Sequence, residues 1–340
     1  MQVFATMSER MGLADAADFA RRVEAIGYDG LLVPEAVHDG FLTSMAVLSA
    51  TRQLTVTTSV LVAFPRSPMT TAHAAWDLQA LSEGRFELGL GTQVRGNIVG
   101  RYSTEWVSPV PRMREYIESL RAIFHSFQTG DPLAYEGEHY RFSRLQPFFN
   151  PGPLDYPSPP ILLGAVGPDM TRMAGGTADG LMSHPTNSSA RVLAEVTLPR
   201  VSEGALGRGR RPEDCPVMAA GFVVTGCDQS AVAQKREWVR EHFTFLYSTP
   251  AYWPSLDHLG FGEIGRELHD LSKRNRWNEM KGLVTDEMID VLVPEGRYTD
   301  IARILLDDYG SIVDRMTFPV PDDPAHDGQV AEVLFELHGA

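Results

Sequence analysis

The chain has 340 residues, 43% of them hydrophobic and 22% charged, with a formal net charge of −14. This composition supports a large apolar core and excludes a mainly disordered chain, and the acidic balance excludes a general nucleic-acid binder, because phosphate neutralisation needs a basic surface. The length suits two average domains or one large barrel.

In chain order, short apolar runs alternate with longer stretches of helical period, as parallel strands joined by crossover helices require. Gln2 to Ala5 predicts a first strand, and Ala16, Phe19, Ala20, Val23 and Ile26 align along one face of a helix that Gly27 ends. The run from Asp29 to Val33, closed by Pro34, predicts a second strand that delivers Glu35 and His38. A helix over 44–50 leads to the β-branched third strand, 54–63, and a helix over 70–81 leads to a fourth strand, 85–90. Met113, Tyr116, Ile117, Leu120 and Ile123 mark a helix over 112–127.

The segment 131–159, rich in proline and aromatic residues, reads as an insertion with a hairpin near 135–142. Beyond it come strands at 161–163, 180–183, 217–224 and 314–318, with helices at 170–174, 191–206, 231–247, 301–309 and 329–337, and a helical insertion over 245–295. Eight strand-helix units fit one closed (β/α)8 barrel, a TIM barrel in a single domain over 1–340, better than two open sheets.

Only two cysteines occur, Cys215 and Cys227, without a zinc-ligand spacing. No signal-peptide pattern opens the chain and no apolar run reaches the length of a membrane span, so the expectation is a cytoplasmic protein that engages neither membrane nor nucleic acid. The active site of such a barrel is built after the strands. The absence of a His-x-His pair after strand one argues against a metal-dependent hydrolase, and no metal is expected.

After strand two come Glu35, His38 and Asp39; after strand three, Arg66; after strand four, Gly91-Thr-Gln-Val-Arg95. The stretch Gly27 to Glu35 (GYDGLLVPE), the tetrapeptide Thr58-Ser-Val-Leu61 and above all Asp77 to Thr92 (DLQALSEGRFELGLGT) resemble the luciferase-like monooxygenase superfamily, as does Gly164-Ala-Val-Gly-Pro168 followed by Ala178-Asp-Gly180. Arg66-Ser-Pro-Met-Thr70, Gly91 to Arg95 and Pro147 to Gly152 resemble an actinobacterial branch that uses coenzyme F420.

The resemblance implies a non-prolyl cis peptide at Ser59-Val60, against which the central ring of a flavin or deazaflavin rests. It implies ring contact at Gly91, Thr92 and Gln93, and phosphate contact at Gly164, Ala165, Val166 and Gly167, with the N-terminus of the next helix favouring negative charge. Glu35 is read as a ligand for the cofactor's polar edge or a catalytic group, against a plain loop salt bridge, and His38 as the proton donor or acceptor. His184 is read as lining the phosphate or substrate side, Arg66 and Arg95 as anchors for an anionic tail, and Tyr102, Trp106, Phe148 and Phe149 as an apolar lid.

Val94 and Ala36 stand where the superfamily's sugar-phosphate dehydrogenase has an acidic residue and a histidine, which argues against sugar-phosphate oxidation. The expected activity is hydride transfer between F420 and a small-molecule substrate. An FMN-dependent monooxygenase and a non-catalytic flavin-binding homologue stand as alternatives. The resemblance also implies a homodimer, joined by the helices at 44–50 and 69–81.

Overall fold

The computed structural model describes residues 1–339. Eight parallel strands run β1 Gln2–Thr6, β2 Gly30–Val33, β3 Thr55–Thr58, β4 Phe86–Gly91, β5 Ile161–Gly164, β6 Gly180–Met182, β7 Val217–Ala219 and β8 Arg315–Thr317. Each pairs with its neighbours in sequence, β8 pairs with β1, and the ring is closed, giving the expected TIM barrel. β3 resumes as Leu61–Val62, which pairs with Leu90 and Gly91 of β4.

The strands form because most are buried on both faces by the outer helices and by the barrel interior. All six residues of β4 and all four of β2 are buried, and both runs are largely apolar. The helix Leu13–Ile26 turns Ala16, Ala20, Val23 and Ile26 inward and ends at Gly27, whose φ of 107° is a conformation glycine adopts at no steric cost. Inside the ring, Phe4, Leu32, Leu162, Met182 and Met218 pack together, with Val60 and Ala220 against them. Near the strand beginnings the Arg315 guanidinium holds the Glu87 carboxylate at 2.9 and 3.1 Å, and the Thr57 hydroxyl donates to it at 2.8 Å. A buried carboxylate is tolerable there because it is paired and hydrogen-bonded.

The segment between the helix Pro109–Thr129 and β5 carries an antiparallel hairpin of Tyr135–Glu136 and Arg141–Phe142. Its turn is held by the buried Glu115 carboxylate, which accepts the N–H groups of Glu138 at 3.1 Å, His139 at 2.7 Å and Tyr140 at 3.3 Å. Those bonds outweigh the opposing effect of burial and keep the carboxyl below its ordinary range. The return limb is tied to the helix Pro68–Leu81 through Trp76 Nε1, which donates to the Gly152 carbonyl at 3.0 Å, and Gln79 Nε2, which donates to that of Pro157 at 2.8 Å.

Strand seven is shorter than the sequence implies. β7 stops at Ala219, the Gly221 carbonyl is drawn aside by the Thr317 hydroxyl at 2.9 Å, and Val224–Gly226 pairs in parallel with Glu295–Arg297 instead of extending the barrel. The helices between these two short strands, among them Gln229–Leu246, Gly262–Lys273 and Asp286–Leu292, build a second core around Val239, Phe243, Tyr247, Leu256, Leu268 and Ile289. The excursion from the barrel therefore opens at Val224, well before 245. Among the described residues no helix is long and apolar enough to cross a membrane.

Candidate functional site

The ends of β3, β4 and β5 meet around one side chain. The Ser59-Val60 peptide is cis, as the resemblance implies, and the half-buried Val60 stands between the last residues of the two neighbouring strands. A Cβ at Gly91 would lie 2.3 Å from Val60 Cγ2, and one at Gly164 would lie 2.8 Å from Val60 Cγ1. The sequence reading gave these glycines to close approach of a cofactor. In the structure their first effect is to make room for Val60, which packs on the Phe4-Leu162-Met218 cluster and stays only half-buried.

The chain past Val60 is fixed by Glu35, whose side chain is only 6% exposed. Its Oε2 accepts the Val62 N–H at 2.7 Å and Arg66 Nη1 at 2.9 Å, while Oε1 accepts Arg66 Nη2. Arg66 also reaches Asp39 at 2.8 Å, and Asp39 caps the helix Gly40–Ala50 by accepting the N–H groups of Phe41 and Leu42 at 2.9 and 3.1 Å. Although desolvation opposes it, the hydrogen bonds and charges of Glu35 and Asp39 raise the Arg66 pKa further.

Glu35 is turned inward, its oxygens occupied by Val62 and Arg66, which is the loop salt bridge weighed against a cofactor contact, and Arg66 is held by two carboxylates. His38, between them in sequence, is half-buried and forms no side-chain hydrogen bond with the described residues.

After β4, Gln93 takes a φ of 58°, unusual for a residue with a side chain. Its Oε1 accepts Asn97 Nδ2 at 3.0 Å, and its carbonyl accepts the Thr92 hydroxyl at 3.0 Å. Both bonds stay within the turn. Arg95 is exposed. After β5, Gly167 precedes the helix Pro168–Thr177, whose first turn has no side-chain cap, and a Cβ at Gly167 would meet nothing within 4 Å. That helix start is open, and Asp169 is the one acidic residue in its first turn.

The loop after β6 gathers several neighbours. Asn187 Nδ2 donates to the Ala165 carbonyl at 3.2 Å and its Oδ1 accepts the His184 N–H at 2.7 Å, so one side chain joins the loops after β5 and β6. His184 Nδ1 accepts the Thr186 N–H at 3.3 Å and lies 2.9 Å from the Thr186 hydroxyl, and the imidazole stacks on Tyr252. Burial pushes its pKa down to about 4. Sequence reasoning found His184 but neither Asn187 nor Tyr252. The polar run Thr186-Asn-Ser-Ser189 was a weak local signal for the first; for the second there was none.

The expected aromatic lid is divided. Trp106 meets Phe64 edge-on at 5.9 Å, with the Arg112 guanidinium 4.4 Å above Phe64, on the side where β3 ends. Phe148 and Phe149 lie elsewhere: the next residue, Asn150, donates to the Ser126 carbonyl at 2.9 Å, near the far end of the helix Pro109–Thr129, and the two rings are 89% and 56% exposed. Among the described residues no group of three or more His, Cys, Asp or Glu side chains is placed to hold a metal ion.

The profile of the luciferase-like monooxygenase family matches residues 2–315. The chain belongs to that family. An uncharacterised protein of Mycobacterium tuberculosis is 41% identical over 304 residues, covering 89% of each chain. The F420-dependent glucose-6-phosphate dehydrogenase of Nakamurella multipartita is 29% identical, over 68% of this chain and 70% of that one. Among solved structures, the coenzyme F420-dependent tetrahydromethanopterin reductase of Methanopyrus kandleri superposes with a TM-score of 0.79 at 17% identity, over 99% of this chain and 98% of that one. The family comprises F420-dependent oxidoreductases and luciferase-like monooxygenases, and this member is an enzyme, which sets aside the non-catalytic alternative.

The Val60 seat gives a direct test. Gly91→Ala should destabilise the protein by about 1–3 kcal/mol in urea unfolding, because the new methyl meets the backbone-anchored Val60. In the double variant Gly91→Ala/Val60→Ala most of that loss should be recovered, giving a coupling of about 1 kcal/mol or more; strictly additive effects would show that the two side chains do not compete for one space.

Proposed function

We propose that the enzyme transfers a hydride between coenzyme F420 and a small organic substrate held above Val60. The observation that carries this reading is the pairing of a half-buried apolar seat, Val60, with an open helix start at Gly167 on the adjacent loop. A planar ring resting on Val60 would send its ribityl and phosphate portion toward Gly164, Ala165, Val166 and Gly167, where helical N–H groups favour an anion. Gly91, Thr92 and Gln93 would border the ring, with Ser59 beneath it. When bound, F420 supplies a hydride donor or acceptor at its deazaflavin ring.

The chain's own part is orientation, exclusion of water and proton handling. His38 takes or gives the proton that accompanies the hydride, since Glu35 and Asp39 on either side are engaged by Arg66. Glu35 acts at one remove, by holding Val62 and so the shape of the seat. Val94 and Ala36 leave a sugar phosphate without the groups that the superfamily's sugar-phosphate dehydrogenase uses, so the substrate is of another class. An FMN-dependent monooxygenase is the competing reading, because FMN would use the same seat. The named curated relative favours F420.

We place the protein in the cytoplasm, with Cys215 and Cys227 as free thiols. We also propose a homodimer through the helices Gly40–Ala50 and Pro68–Leu81, where Leu42, Met45 and Leu81 are each about half exposed. A single species of monomer mass in sedimentation velocity would refute the dimer.

Fluorescence titration of the apoprotein should give micromolar or tighter binding of F420; saturation by FMN with no response to F420 would overturn the cofactor assignment. His38→Asn should lower kcat by about 10²–10⁴-fold while leaving the F420 Kd within a factor of two, and an unchanged kcat would remove His38 from the mechanism.

A further inference from the structure

The helical excursion from Val224 to Arg297 is more than an appendage to the barrel. It grips the loop after β6 at two points: the Tyr247 hydroxyl donates to the Thr186 carbonyl at 3.2 Å, and the Tyr252 ring lies on the His184 imidazole with centroids 4.5 Å apart and planes 10° from parallel. Tyr252 belongs to the short turn Pro250–Tyr252 that joins two helices of the excursion.

The hydrogen bonds decide which nitrogen of His184 carries the proton. Nδ1 accepts the Thr186 N–H, a bond that requires an unprotonated nitrogen, so in the neutral ring the proton is on Nε2. Nε2 has no hydrogen-bond partner among the described residues. Through Asn187 the His184 backbone is one side chain away from Ala165, in the glycine-bearing turn ahead of the open helix start.

We propose that Tyr252 is a positioning residue that, by stacking on His184, holds it as a neutral Nε2–H donor to the anionic portion of the bound cofactor. This rests on the proposed cofactor reading. It assigns the excursion a part in cofactor binding: a residue far from the barrel strands shields from water, and so keeps uncharged, a group at the barrel mouth.

The electrostatic surroundings agree. The titratable groups packed on this loop are Tyr247 and Tyr252 of the excursion and Tyr309, whose hydroxyl donates to the Ser188 carbonyl at 3.2 Å; all three are kept protonated by burial, and no charged side chain contributes to the downward shift of His184, which comes from desolvation alone. A histidine depressed in this way stays neutral through the physiological range. A water-exposed imidazole, by contrast, would gain charge near pH 6.5.

The test is the titration of the His184 ring by NMR in the full-length apoprotein labelled in its histidines, with His184→Asn to assign the signal. In the wild type the signal should stay flat from pH 8 to 5. In Tyr252→Ala the midpoint should rise by at least about one pH unit as water reaches the ring, and in Tyr252→Phe the flat curve should return because the stack persists.

F420 binding should weaken about tenfold in both Tyr252→Ala and His184→Ala and recover to within about a factor of two in Tyr252→Phe, the tenfold loss being the usual scale for one hydrogen bond. Tyr252→Leu, which keeps apolar bulk but no planar ring, serves if the alanine variant does not fold. An unchanged His184 titration in Tyr252→Ala or Tyr252→Leu, or F420 affinity unchanged in His184→Ala, overturns the proposal. A wild type that binds neither F420 nor FMN overturns the parent reading and with it the ligand assigned here, while the NMR curve still decides whether Tyr252 sets the proton on His184.

Discussion

One buried carboxylate ties together the three stretches of chain that shape the barrel mouth. Glu35 leaves the end of β2, takes the N–H of Val62 just past the cis peptide that follows β3, and pairs with Arg66, while the same arginine holds Asp39 at the start of the next helix. A carboxylate in such a place is costly unless each lone pair is used, and here a backbone donor and a two-pronged guanidinium use them. The geometry it enforces places Val60 where two strands must end in glycine. Gly91 and Gly164, 73 residues apart along the chain, answer to the same side chain.

The charges around the mouth follow from that arrangement. Arg66 is consumed by Glu35 and Asp39, Arg101 donates to the Ala36 carbonyl, and Arg112 is divided among the Tyr140 hydroxyl and the carbonyls of Glu105 and Phe64. Of the two arginines read from the sequence as anion anchors, Arg66 is thus held by carboxylates, whereas Arg95 is exposed. On the proposed reading, backbone N–H at a helix start and an uncharged imidazole would meet the anion. These are fixed dipoles, which bind by orientation and do not bring a mobile counter-charge into the site.

How much of this was legible follows the range of the interactions. The alternation of apolar runs and helical stretches is local, and it located all eight strands and the closed ring. The motif from Asp77 to Thr92 identified the family because it spans a helix, a turn and a strand whose side chains pack on one another. Glu35 was found but its direction was not, since the partners that turn it inward lie 27 and 31 residues along the chain. Phe148 and Phe149 were misplaced for the same reason: their composition is that of a lid, and only the bond from Asn150 to Ser126 shows which end of the helix they sit beside. Strand seven was drawn too long because Val217 to Val224 is apolar almost throughout, and the break depends on a hydroxyl from β8. Tyr252 left no local trace at all.

The short ladder of Val224–Gly226 with Glu295–Arg297 brings the two ends of the helical excursion side by side. Because departure and return are stitched at one spot, the length and content of what lies between can change without altering the distance the barrel must close. The excursion is thus an exchangeable cassette mounted on a constant frame, and its core around Phe243 and Leu268 is separate from the barrel's. Descendants of one barrel could acquire new ligand contacts by rewriting this cassette alone, with the clamp on β3 and the ring of eight strands inherited unchanged.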